Sequence, residues 1–91
     1  MRWPWRWVYD DPRWRECRWR VIVRAGFRCQ VVENGVRCPV TDRSGRWLHG
    51  HHAYPGGLRA LIAAGLDPFD DDLVKCVCGS HHQRLETEDR K

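Results

Sequence analysis

Ninety-one residues with a formal net charge of +4, five cysteines and six tryptophans make one small domain. A chain of this size buries only about 60–70% of its unfolded surface, so a further crosslink is often needed. Five cysteines cannot all pair with one another, and no apolar run resembles a signal peptide or a membrane span; an intracellular, reducing compartment is therefore expected, in which Cys/His clusters favour zinc over disulfides.

The charge is unevenly placed. Residues 1–28 hold eight arginines against three acids, whereas Asp67, Asp70, Asp71 and Asp72 form an acidic block. A one-sided basic face suggests a polyanionic partner. Within residues 1–10, Trp3, Trp5 and Trp7 alternate with Pro4 and Arg6. An extended arm would present one aromatic and one basic stripe, and Pro4 opposes a helix. Such an arm either stacks on exposed bases or uses its indoles to cover a small core. Asp10-Asp11-Pro12 is a helix-start signal. Residues 13–25 then read as an amphipathic helix stopped by Gly26, with Trp14, Cys17, Val21 and Ile22 as the apolar seam and arginines at 13, 15, 18, 20 and 24 as the rim. Those arginines contact phosphate or form a solvated face. Cys17 reads as a small buried hydrophobe.

Asn34-Gly35 marks a tight turn between Cys29 and Cys38, which places two thiols at the ends of a short hairpin, half of a tetrahedral zinc site. The C-x2-H spacing of Cys78 and His81 offers the other half, with Cys76 left to the core. Four buried thiols without an ion are the plain alternative. Trp47 and Leu48 are available for packing, and His49 reads as a surface residue or a support behind a ligand. His51 and His52 lie on a strand ended by Pro55-Gly56-Gly57, so they point to opposite faces. One can bind a metal while the other takes a proton. Residues 58–64 suit a short helix stopped by Gly65, residues 67–72 a turn, residues 73–77 a second short strand, and the chain from Gly79 a helix carrying His81, His82 and Arg84.

The ordered set Trp14, Cys17, Val21 to Cys29, a second cysteine, His51-His52-x-x-Pro55-Gly56-Gly57, Asp72-Leu73-Val74 and Cys78-x-x-His81-His82 resembles the HNH endonuclease family over about residues 12–85. It is similar to the small stand-alone forms of phages and actinobacteria. The resemblance implies an α+β, zinc-stapled ββα-metal (His-Me finger) domain over residues 11–91, with an N-terminal amphipathic helix and an aromatic and basic arm at residues 1–10. It implies a metal-dependent endonuclease acting on DNA in the cytoplasm of a bacterium or phage-infected host, with no membrane partner and no small-molecule cofactor. Carried over, His52 is the general base that activates water. His51 and His82 hold the catalytic divalent ion. Cys29, Cys38, Cys78 and His81 hold a structural zinc, His81 standing where the family usually has cysteine. Asp72 stands at the family's central asparagine; it takes that role in catalysis, helps bind the metal or caps a helix, since a carboxylate cannot donate the hydrogen bonds an amide can.

The chemistry also follows from the residues. Phosphodiester hydrolysis needs a nucleophile made from water and a cation to offset charge on the phosphoryl oxygens and the leaving oxygen. Imidazole is a suitable base near neutrality. Mg²⁺, Mn²⁺, Ni²⁺ or Zn²⁺ would each be a reasonable occupant, and Arg13, Arg20, Arg24, Lys75 and Arg84 are candidates to grip phosphates. Two other readings stay open. One is a non-catalytic zinc module that binds nucleic acid, its histidines structural and His81 and His82 able to exchange roles; the other is an adaptor that docks through its tryptophans.

Overall fold

The computed structural model describes residues 5–89. Its longest helix begins where the capping chemistry says it should. The Asp11 carboxylate accepts the Arg13 N–H at 2.9 Å and Pro12 occupies the first turn of α2, Pro12–Arg24. This helix buries Trp14, Cys17, Val21 and Ile22 on one face, the i, i+3, i+7, i+8 spacing of an apolar stripe. It stops at Gly26, whose φ is +69°. There the Phe27 N–H reaches back to the Ile22 carbonyl at 3.0 Å and satisfies a carbonyl that the helix leaves open.

The centre of the fold is a two-stranded antiparallel ribbon. Strand β3, Leu48–His52, pairs with β4, Val74–Cys78, in the register Leu48 to Cys78 through His52 to Val74. Before it, β1, Val32–Glu33, and β2, Val36–Arg37, form a small hairpin across Asn34 and Gly35. Both turn residues have positive φ, 52° and 76°, which is why Asn-Gly is suited to this turn. A short helix α3, Gly57–Ala63, and a 3-10 turn at Asp71–Leu73 connect the two central strands, and α4, Gly79–Asp89, leaves β4 directly. The result is α+β, with four helices and two antiparallel sheets among the described residues. None of these helices is long and apolar enough to cross a membrane.

The ribbon's two faces serve different ends because side chains alternate along a strand. One face packs Leu48, Val74 and Cys76 against Trp14, Cys17, Val21 and Ile22 of α2, and each fully buried apolar side chain there contributes roughly 1.5–3 kcal/mol. Cys17 and Cys76 are thus core residues, as expected. The opposite face carries His49, His51 and Val77 toward α4, where Val77 packs near Leu85. Two arginines staple the β1–β2 hairpin to the body. Arg37 donates to the carbonyls of Ala25, Arg28 and Cys29, and Arg28 to those of Arg37 and Cys38.

Two expectations are corrected. Trp3 and Pro4 lie outside the described residues, but the rest of the expected arm is not extended. Trp7–Asp10 form a helical turn, α1, with Val8 buried and the Tyr9 ring 5.2 Å from that of Trp14. Among the described residues this segment pairs with no strand, whereas a helical turn gives the Val8, Tyr9 and Asp11 amides the carbonyls of Trp5, Arg6 and Val8. Trp47 does not pack. It is 68% exposed, because its N–H is held by the Asp42 carboxylate at 2.8 Å in the turn before β3, and Leu48 takes the core position.

At Gly50 the ribbon backbone lies close under the Trp14 ring of α2. A Cβ there would sit 3.0 and 3.1 Å from two Trp14 ring carbons and 3.3 Å from Val74. Gly50→Ala should therefore destabilise the protein by about 1–3 kcal/mol, seen as a lowered urea unfolding midpoint; an unchanged midpoint would show that the indole has room to move.

Candidate metal centres

The first cluster is assembled from three parts of the chain. Cys29 and Cys38 flank the β1–β2 hairpin, Cys78 ends β4, and His81 lies in the first turn of α4. Their donor atoms all fall within 4.8 Å of one another, so the four residues can hold a metal ion. His81 Nδ1 lies 3.5 Å from Cys29 Sγ and 3.2 Å from Cys78 Sγ. A tetrahedral ion with Zn–S of about 2.3 Å and Zn–N of about 2.0–2.1 Å would set that edge near ~3.5 Å, so the donor set fits. Burial pushes the Cys29 thiol well above its ordinary range, and a thiolate there needs a cation beside it. Behind the cluster, His81 Nε2 lies 2.7 Å from Glu33 Oε1, a carboxylate backing that fixes the ring and makes its other nitrogen a better donor. Arg84 first, and then His81, hold the Glu33 carboxyl below its usual range.

A second cluster lies on the α4 face of the ribbon. His51 projects from β3, while His82 and Glu86 share one side of α4 at i, i+4 spacing. Their donor atoms also lie within 4.8 Å of one another. Glu86 Oε1 is 3.2 Å from His82 Nε2 and 3.7 Å from His51 Nδ1. His51 is buried, whereas His82 and Glu86 are partly open, which leaves one side of the group accessible. Two nitrogens and one carboxylate with an open side match the donor sets of catalytic metal sites. His51 and His82 meet here as expected from the sequence, whereas Glu86 was not expected; its signal is its spacing from His82 in what reads as a charged tail. His49 is more than a surface residue: its ring stacks on His82 at 4.8 Å and 4°. Burial, followed by the charges of His82 and Arg18, lowers the His49 pKa. Burial and then the Glu86 charge push the Tyr9 phenol up to about 12.

His52 points the other way, as strand alternation requires. It is 2% exposed and stacks on Trp14 at 4.8 Å. Its Nε2 lies 2.9 Å from the Pro68 carbonyl. A carbonyl only accepts, so Nε2 carries the proton and Nδ1 is the bare nitrogen. That Nδ1 is buried without a hydrogen-bond partner among the described residues. Burial lowers the His52 pKa, which favours the neutral ring.

Asp72 does not join either cluster. Its carboxylate is 84% exposed and pairs with Arg24 at 3.2 Å. Asp70, not Asp72, caps the 3-10 turn by accepting the Asp72 N–H at 3.0 Å, which leaves the Asp72 side chain on the α2 flank. The expected phosphate grips are mostly engaged inside the molecule. Arg13 pairs with Asp11, Arg20 with Asp71, Arg24 with Asp71 and Asp72, and Arg84 with Glu33. The acidic block thus answers the basic helix within the fold. Lys75 is the exception, exposed and without an ion pair among the described residues. It is the cross-strand partner of His51, and such partners share a face, so its side chain leaves the ribbon on the same side as His51.

If the first cluster holds a structural ion, His81→Ala or Cys78→Ser should release it and cost about 2–3 kcal/mol or more, a fall of roughly 10–20 °C in Tm. Elemental analysis beside a thermal melt checks both; a variant that melts like the parent would remove the ion from the account of stability. Compared with family models, curated proteins and solved structures, the chain matches none.

Proposed function

We propose that this chain is a metal-dependent endonuclease of the ββα-metal, HNH type that hydrolyses phosphodiester bonds in DNA. In this reading a structural zinc sits at Cys29, Cys38, Cys78 and His81. The observation that carries the proposal is the second cluster: an antiparallel ribbon runs directly into α4, and His51 of the ribbon meets His82 and Glu86 of the helix with donor atoms within 4.8 Å. His51, His82 and Glu86 would hold a divalent ion. Such an ion supplies Lewis-acid polarisation of a phosphoryl oxygen and charge stabilisation of the leaving oxygen. The two nitrogens suit Mn²⁺, Ni²⁺ or Zn²⁺, while phosphate oxygens would complete a shell for Mg²⁺.

The remaining roles belong to the chain. Lys75 meets a phosphate from the same face as His51. His52 is the base of the proposal: its Nε2–H on the Pro68 carbonyl fixes the tautomer, so the bare Nδ1 takes the proton of the attacking water. The water oxygen bonds to phosphorus, the bond to the 3′ oxygen breaks, and that oxygen is protonated from solvent. Because His52 lies beneath Trp14 and beside Tyr9, the cover must shift when nucleic acid binds. Asp72, held on the far flank by Arg24, takes no part. The burial of His52 favours one rival, a non-catalytic zinc-stabilised module that binds nucleic acid.

Supercoiled plasmid separates the two. Zinc-loaded protein given Mg²⁺, Mn²⁺ or Ni²⁺ should nick it, with rates falling about 10²–10³-fold in His51→Ala or His82→Ala and about 10²–10⁴-fold in folded His52→Ala. Plasmid retained in a gel shift but never nicked, whichever ion is added, would overturn the enzyme in favour of the module.

A further inference from the structure

The turn of residues 42–47 presents a large aromatic side chain that the fold does not use. Trp47 is 68% exposed, while Trp14 is 7% exposed in the core. An indole left open on a hydrogen-bonded turn is available to stack on a partner.

The support is rigid in detail. The Asp42 carboxylate accepts the Ser44 N–H at 3.0 Å, the Ser44 hydroxyl at 2.7 Å and the Trp47 N–H at 2.8 Å. The Gly45 N–H donates to the Asp42 carbonyl at 3.0 Å. From below, Arg18 donates to the Gly45 carbonyl at 2.9 Å and to the Leu48 carbonyl. Trp19, itself 48% exposed, lies against Gly45, where an added Cβ would come within 3.0 Å of its ring. An indole held this way binds without first paying to order its loop.

The charge around it names the partner. Arg43 and Arg46 are exposed, and neither has a carboxylate at ion-pairing distance among the described residues, in contrast to Arg13, Arg20, Arg24 and Arg84. The nearest acid in sequence, Asp42, turns its oxygens inward to the turn. The Arg46 guanidinium lies over the Trp47 ring at 5.1 Å from its centroid. Cations without an acidic partner beside an exposed aromatic ring suit a polyanion with stacking bases. A base must leave its own stack to lie on an indole, which selects a single strand over a duplex. Trp47 stands four residues before His51, about 13 Å away along an extended chain, so one bound strand can reach both.

We infer that residues 42–47 form a docking surface for single-stranded nucleic acid flanking the cleavage point, with Trp47 as the stacking platform and Arg43 and Arg46 on the phosphates. The inference rests on the nucleic-acid reading above. Anisotropy of a fluorescein-labelled single-stranded oligonucleotide and of its duplex, on zinc-loaded protein with no second ion, tests it. The parent should prefer the single strand. Trp47→Ala should weaken single-strand binding about tenfold, and Trp47→Phe should stay within about threefold of the parent. The double variant Arg43→Ala with Arg46→Ala should lower the slope of log affinity against log salt by about 1.4. Unchanged single-strand affinity in Trp47→Ala, or an equal loss on single strand and duplex, would overturn it, as would a parent that binds neither. Plasmid nicking measured in parallel keeps the two readings apart: expected binding without nicking sinks catalysis and leaves this surface standing, and nicking with Trp47→Ala binding like the parent sinks this surface alone.

Discussion

The pairing of Leu48–His52 with Val74–Cys78 is the constraint on which everything else depends. A lone two-stranded ribbon is at best marginally stable in water, so each of its faces must be covered. On one side α2 supplies Trp14, Cys17, Val21 and Ile22. On the other, α4 brings an arrangement that is polar rather than oily, with His82 and Glu86 lying over His51 and His49. The packed core and the cluster of polar donors are thus divided between the two sides of the same five residue pairs.

That division explains the behaviour of the adjacent imidazoles. His51 and His52 differ by one position and consequently by a whole face. One meets a carboxylate and a second imidazole, and the other is laid under an indole and tied to a carbonyl. The same logic places Lys75 with His51, and Val74 with the core. It also explains why Arg20 and Arg24 of α2 are not a free surface. The ribbon's return strand is preceded by the acidic 3-10 turn, and packing α2 on that side sets Arg20 and Arg24 opposite Asp71 and Asp72. Arg20, with the hydrogen bond it makes, holds the Asp71 carboxyl below its usual range. The pair therefore supports the fold above the ordinary carboxylate range and ceases to do so as acid protonates it.

Much of this was legible beforehand because it was local. Asp11-Pro12, Gly26, Asn34-Gly35 and Gly65 each carry their own backbone chemistry, and the elements end where they predict. The cluster of Cys29, Cys38, Cys78 and His81 was legible from a hairpin closed by two thiols and one short Cys-x2-His spacing, which leave their donors little freedom. What was not legible depended on partners distant in sequence. Nothing near Arg20 or Arg24 says that an acidic turn some fifty residues on will neutralise them. Nothing near Trp47 says that Asp42 will hold its amide and face it outward. Glu86 lay in a stretch rich in charge, where one carboxylate looks like the next until the helix is wound against β3. The alternating indoles at the start of the chain suggested a stripe, but a period of two gives a strand only where there is an edge to receive it.

His81 and His82 are neighbours, yet they serve separate clusters on a helix that starts one residue after Cys78. The first cluster therefore does more than fasten the helix: it sets the angle at which the helix is rolled about its own axis. Each residue added or removed between Cys78 and His81 would turn the rest of α4 by about 100° and swing His82 and Glu86 off the ribbon together. The two clusters are geared to a common rotation, so the length of that short knuckle is fixed by the requirements of both at once.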